Sequence, residues 1–176
     1  MQQSVPSFAG LLESAEHSAV HLEMRDAYGV ADEADDFSNW RATGRRDSDP
    51  DSDYWKPWVD SISRKVRQGV DFRRARIVSV PVSDYIRYEH AATSVNVVAG
   101  EQVRWLPRAE ASGLALPGND FWVFDGRAAL FNIFDGHGDW AVPKQQFSTD
   151  REVVELCTRA FESVWERATP HEKFAV

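Results

Sequence analysis

Two turn signals ten residues apart, at Asp125-Gly126 and Asp135-Gly136, set the strongest limit on what this chain folds into. Apolar runs at Phe121 to Phe124 and Ala128 to Phe134 flank Asp125-Gly126, the dipeptide best suited to a tight type I′ hairpin turn. The second turn, Asp135-Gly136-His137-Gly138, leads into Trp140 to Val142, which supply a return strand. Three antiparallel strands in series are therefore expected, and their apolar face needs a covering layer.

The remaining periodicity supplies that layer and more strands. Phe8, Leu11, Leu12 and Ala15 recur at helical spacing behind Ser7, which is placed to cap the first turn. Val20, Leu22 and Met24 then alternate with His21, Glu23 and Arg25, the period of a strand with one buried face. After an acidic run from Asp32 to Asp36, Phe37 and Trp40 lie three apart, as on a short helix. Trp55, Trp58, Val59, Ile62 and Val66 form one apolar stripe on a helix ended by Gly69. Residues Phe72 to Val82 read as a strand with Ile77, Val78 and Val80 in the core. Ser83 or Asp84 caps a helix carrying Tyr85, Tyr88, Ala92 and Val95, and Gln102 to Leu106 form a short strand stopped by Pro107. Thr149 and Glu152 make a capping box for a last helix striped by Val153, Cys157, Ala160, Val164 and Ala168 and ended by Pro170.

The order predicts an α/β (α+β) fold. A mixed β-sheet of about six strands is flanked by helices, with a C-terminal antiparallel meander and a closing helix. Residues 1–176 are expected to form a single domain. The segment 44–53 (GRRDSDPDSD) has no apolar side chain to offset the cost of ordering it, and is expected to be a mobile polar loop.

Charge and cysteine usage narrow the function classes. With 28 acidic against 20 basic residues, the net charge of −8 repels phosphate backbones and anionic lipid. The basic stretch Arg64, Lys65, Arg67, Arg73, Arg74 and Arg76 lacks interleaved stacking aromatics, so no direct nucleic-acid binding is expected. No membrane association is expected, since no run of apolar residues approaches the length of a span. A lone Cys157 and the lack of an export-type start point to a cytoplasmic location.

Catalytic and metal motifs are missing from the pattern. Asp47, Asp49, Asp51 and Asp53 alternate as in calcium loops, but Pro50 stands where the turn glycine belongs and no Glu closes the loop. No metal and no cofactor are expected. His17, His21 and His171 read as surface histidines, and turn chemistry accounts for His137 between Asp135 and Asp139. The densest polar cluster is Asp84 to His90 (DYIRYEH), at the start of a helix that follows a central strand, where ligands of α/β sheets collect.

Two readings follow. In the first, the chain is a non-enzymatic regulatory or ligand-sensing protein, with a groove near Asp84, Arg87, Glu89, His90, Arg104 and Asp125 for a small-molecule ligand. In the alternative it is a small hydrolase or transferase, whose acid and base come from Asp84, Glu89, His90 and His137. Arg104 projects opposite to Val103 and Trp105 and is expected to pair with a carboxylate of Asp84, Glu89 or Asp125. Asp125 is expected to accept backbone N–H bonds two residues on.

Four segments carry a resemblance. They are HLEMRD from His21, IVSVPVSDYIRYE from Ile77, NVVAGEQVRWLPR from Asn96 and DFWVFDGR from Asp120. Through them the chain resembles the actinobacterial family called domain of unknown function 6879. The resemblance covers nearly the whole chain and implies a partner, because members are commonly encoded beside helix-turn-helix transcriptional regulators. The C-terminal half is also similar to the core of the phospholipase D superfamily. Set on Asp125, that superfamily's His, Lys and Asp motif finds Gly118 and Asp120 where the His and Lys belong, which implies a non-catalytic relative.

Overall fold

The computed structural model describes residues 5–29 and 33–176. A seven-stranded sheet runs in the order β6-β5-β4-β1-β2-β3-β7. Its parallel centre is β1 (Ser18–Glu23), β2 (Asp71–Val78) and β3 (Gln102–Pro107). On one side the antiparallel meander β4 (Asp120–Phe124), β5 (Ala128–Phe134) and β6 (Trp140–Ser148) extends the sheet. On the other, the two-residue β7 (Thr169–Pro170) closes it against β3.

Both crossovers between parallel strands place helices on one face. α2 (Ala34–Thr43) and α3 (Lys56–Arg67) join β1 to β2, and α4 (Asp84–Ala99) joins β2 to β3. α1 (Phe8–Ser14) shares that face, where Leu11, Leu12, Ile62, Phe72, Trp122 and Phe124 form one core. α5 (Arg151–Arg167) covers the opposite face with Cys157, Phe161 and Val164 on Val20, Leu22, Ala75, Ile77 and Val123. The mixed α/β sheet flanked by helices is as expected. The seventh strand, β7, was not, because Pro170 read as a helix stop and two residues carry no periodicity of their own.

Local signals explain most boundaries. Ser7 accepts the Gly10 N–H at 3.1 Å, and Ser83 caps α4 by accepting the Ile86 N–H at 3.1 Å. Asp125 and Gly126 both adopt positive φ, 52° and 64°, as a type I′ turn requires. Three expectations need correction. Asp150, not Thr149, caps α5, since its carboxylate accepts from Glu152 and Val153. Val80 is 64% exposed, because β2 ends at Val78. β1 is buried along both faces, at Ala19, Val20, His21 and Leu22 alike. Of the acidic run before α2, Asp32 lies outside the described residues.

Behind β3, His171 is half-buried rather than on the surface. Trp105 Nε1–H donates to its Nδ1 at 3.2 Å, and the His90 ring lies 4.4 Å away. Burial, with the His90 ring beside it, pushes the His171 pKa down from 6.5 to about 4. The folded state therefore favours the neutral ring, so this contribution is full above pH 6.5 and drains away as pH falls toward 4. Urea unfolding should show a loss of about 1–2 kcal/mol across that window, after allowance for screening at a half-buried site. His171→Asn, which keeps an acceptor for Trp105, should flatten the profile, and an unchanged profile would place the titration elsewhere.

Candidate functional site

The polar face of β1 and β2 looks into the helical layer, not into solvent. Along β2, Arg74 and Arg76 project to that face while Ala75 and Ile77 pack under α5. Along β1, His21 and Glu23 do the same opposite Val20 and Leu22. α4 brings Glu89, Ala92, Thr93 and Asn96 to the same place, at helical spacing. The result is a cleft at the carboxyl ends of β1 and β2, where ligands of α/β sheets bind.

Its floor is an ion-paired lattice. Arg76 donates Nε to Glu23, Nη1 to Thr93 at 2.8 Å and Nη2 to Glu89 at 3.0 Å. Arg74 donates Nε to Glu101 at 2.9 Å and Nη1 to Glu23 at 3.0 Å. Glu101, 3% exposed, also accepts from Trp58 Nε1 at 3.0 Å and Asn96 Nδ2 at 2.8 Å. Burial alone would raise the Glu23 pKa, but Arg76 and Arg74 outweigh it and hold that carboxyl well below its ordinary value.

Arg46 comes down from the 44–53 segment, and its guanidinium stacks on Tyr88 with Cζ 3.5 Å from the ring centroid. Its Nη1 donates to the Tyr88 carbonyl at 2.6 Å and to Glu89 at 3.2 Å. The expectation of a mobile polar loop overlooked this residue, whose side chain is only 3% exposed.

Above the lattice is a chamber of about 420 Å³, walled by Trp55, Trp58, Trp122 and Trp140. A narrower recess of about 140 Å³ shares Glu23, Glu33, Glu89, Asn132 and Trp140 with it and reaches His21 and Asp120. His21 stacks on Trp122 at 4.2 Å, with Nδ1 2.8 Å from the Phe121 carbonyl and Nε2 3.3 Å from Glu23. It is therefore a buried histidine, where a surface one was expected.

Of the six residues singled out in the sequence, only Glu89 enters this cleft. Asp84 is exposed at the start of α4, 3.8 Å from Arg41, and Arg87 is exposed. His90 turns toward β3, with Nε2 3.0 Å from the Phe174 carbonyl. Asp125 lies at the other end of the sheet, where it accepts N–H bonds from Glu16, His17 and Ser18 at 2.7–3.0 Å rather than from its own turn. His137 stays in the turn after β5, its backbone N–H bonded to Asp135 at 2.8 Å. These residues do not share a groove, and the proposed acid–base set is not assembled.

Arg104 finds no carboxylate. Its Nη1 donates to the Trp165 carbonyl at 3.0 Å, and its Cζ lies 4.3 Å from the Trp165 ring centroid on the α5 face. A neutral acceptor and partial exposure lower the stake. Arg104→Met should cost about 1 kcal/mol, not the 3–5 kcal/mol of a broken buried pair, as read from thermal melts.

Much of the basic stretch is engaged within the molecule, while Arg67 is exposed. Arg73 pairs with Glu162 at 2.8 Å and Arg64 with Glu13 at 2.6 Å, while Lys65 donates to the Glu13 carbonyl at 2.8 Å. Among the described residues no group of three or more His, Cys, Asp or Glu could hold a metal ion, and no helix is long and apolar enough to cross a membrane.

The chain is similar to Nuc, a phospholipase D family member from Salmonella typhimurium, at 9% identity and a TM-score of 0.52, over 92% of this chain and 86% of that one. NucT from Helicobacter pylori aligns at 8% identity and a TM-score of 0.48, over 92% and 87% of the two chains. An archaeal chromatin protein with a novel mode of DNA binding aligns at 15% identity and a TM-score of 0.49 over 92% of this chain. This chain spans about half the length of that protein, 48%. By sequence, the chain belongs to the family described as Domain of unknown function (DUF6879), whose model matches residues 6–176. No curated protein matches it.

Proposed function

We propose that this chain is a non-enzymatic, ligand-sensing regulatory protein that takes a small molecule into the cleft and acts with a helix-turn-helix DNA-binding partner. The observation that carries the reading is the cleft itself. It is a chamber of about 420 Å³ with four tryptophans on its walls and a buried Arg–Glu lattice beneath. Buried ion pairs of this kind cost desolvation free energy and are weak devices for stability alone, whereas a rigid polar floor suits recognition.

Phosphodiester chemistry fits the cleft poorly. Where the phospholipase D pattern calls for its Lys, Asp120 is bonded to the Tyr28 hydroxyl and to the Met24 N–H at 2.8 Å. Glu23, Glu33 and Glu89 add further negative charge around the recess, which opposes a phosphate. The partner is inferred from the family resemblance alone.

Tryptophan emission reports on the chamber, so the test combines it with capture from lysate. Some fraction of a small-molecule extract should quench emission, and tagged protein should recover a helix-turn-helix regulator in amounts that the fraction alters. Failure of every fraction to perturb emission would overturn the ligand reading. Repeated capture without such a regulator would overturn the partner.

A further inference from the structure

Charge divides the cleft into two parts. In the chamber three arginines, Arg46, Arg74 and Arg76, face three glutamates, Glu23, Glu33 and Glu89. In the recess the arginines drop out of the lining and Asp120 joins the same three glutamates.

Two of those four carboxylates have no cation on them. Glu23 is matched by Arg74 and Arg76, and Glu89 by Arg46 and Arg76. Glu33 instead accepts from the Tyr85 hydroxyl at 2.7 Å, and Asp120 accepts from the Tyr28 hydroxyl and the Met24 N–H. Neither has a Lys, Arg or His partner among the described residues.

The walls are aromatic. Tyr28 lies 5.8 Å from Tyr85 and 5.1 Å from Phe134, and Phe134 stacks on Trp140 at 4.5 Å, all centroid to centroid. Carboxylates set in a box of aromatic rings have the chemistry that selects organic ammonium ions, through ring quadrupoles and full charge together. A bare metal ion is disfavoured, because among the described residues no group of three or more carboxylates and histidines could hold one. The recess, about 140 Å³, is close to the roughly 150 Å³ cavity that accepts a benzene ring, so a methylated or alkyl ammonium head fits it.

We propose that the recess between Glu33 and Asp120 binds the ammonium head of a small organic cation, whose body extends into the tryptophan chamber. The proposal rests on the ligand-sensing reading and specifies its ligand class. Burial, reinforced by Glu89 at Glu33 and by Glu23 at Asp120, raises the pKa of both carboxyls. An arriving cation offsets that penalty, so the site gains most from a ligand that carries a full positive charge.

Calorimetric titration of the full chain tests this with choline, its neutral isostere 3,3-dimethyl-1-butanol, and benzoate. Choline should bind at least tenfold more tightly than the isostere. The isosteric pair Glu33→Gln and Asp120→Asn keeps the acceptors for Tyr85 and Met24, and should abolish the tenfold preference. Trp140→Ala should weaken choline without unfolding the protein, as checked by circular dichroism. Equal binding of choline and the isostere, tighter binding of benzoate, or no choline binding would each overturn the proposal. If choline fails while an extract fraction still quenches tryptophan emission, the ligand-sensing reading survives and only the cation assignment falls.

Discussion

Arg76→Met lowers stability by about 3–5 kcal/mol, the cost expected when one partner of a buried charge network is removed. Arg76 is 5% exposed and serves Glu23, Glu89 and Thr93 at once, with its guanidinium 4.9 Å from the Trp105 ring centroid. Met fills much of the same volume, so the loss comes from the two carboxylates left behind rather than from a cavity. Arg74 and Arg46 remain as partial partners, which places the expected value toward the lower end. Urea unfolding measures it. Adding Glu23→Gln and Glu89→Gln to the variant should restore a large part of the loss, since neutral amides are cheaper to bury than unpaired charges. A single variant as stable as the parent would mean that water reaches the network and screens it.

The second large effect is at Asp125. Asp125→Ala should cost about 3 kcal/mol, because it removes a carboxylate that accepts three backbone N–H groups, each charge-assisted bond being worth at least about 1 kcal/mol when partly exposed. Those donors are Glu16, His17 and Ser18, so the side chain ties the β4–β5 turn to the junction between α1 and β1. The three N–H bonds outweigh partial burial and hold the Asp125 pKa below its ordinary value. Asp125→Asn separates charge from geometry: asparagine tolerates the observed φ of 52° and retains one oxygen for His17 and Ser18. Its loss should be about half that of the alanine variant, as read by denaturant midpoints at constant m. A neutral Asp125→Ala would show that water replaces the carboxylate at no cost.

Short-range patterns in the sequence determined the elements. Helical stripes, the Ser7 and Ser83 caps and the Asp125-Gly126 turn act within a few residues, so their physics is present in any window that contains them. The mixed sheet flanked by helices, the meander and the closing helix were legible for that reason. The lining of the cleft was not: of the six residues singled out only Glu89 enters it, and Ala92 and Asn96, two and three turns along α4 from Asp84, line it beside Glu89.

What lay beyond the sequence was the fate of the polar residues. His21 and Glu23 alternate with Val20 and Leu22 as a solvated strand face would, and Arg74 and Arg76 look like part of a basic surface stretch. A polar strand face is buried only if partners arrive from elsewhere in the chain, and those partners are far off in sequence. Glu101 reaches Arg74 across 27 residues, Arg46 reaches Glu89 across 43, and Phe121 meets His21 across 100. Local periodicity reports that a side chain is polar and which way it points. Whether that direction is open water or an ion-paired cleft depends on what packs above it, and in this protein α3, α4 and the Arg46 segment made that decision.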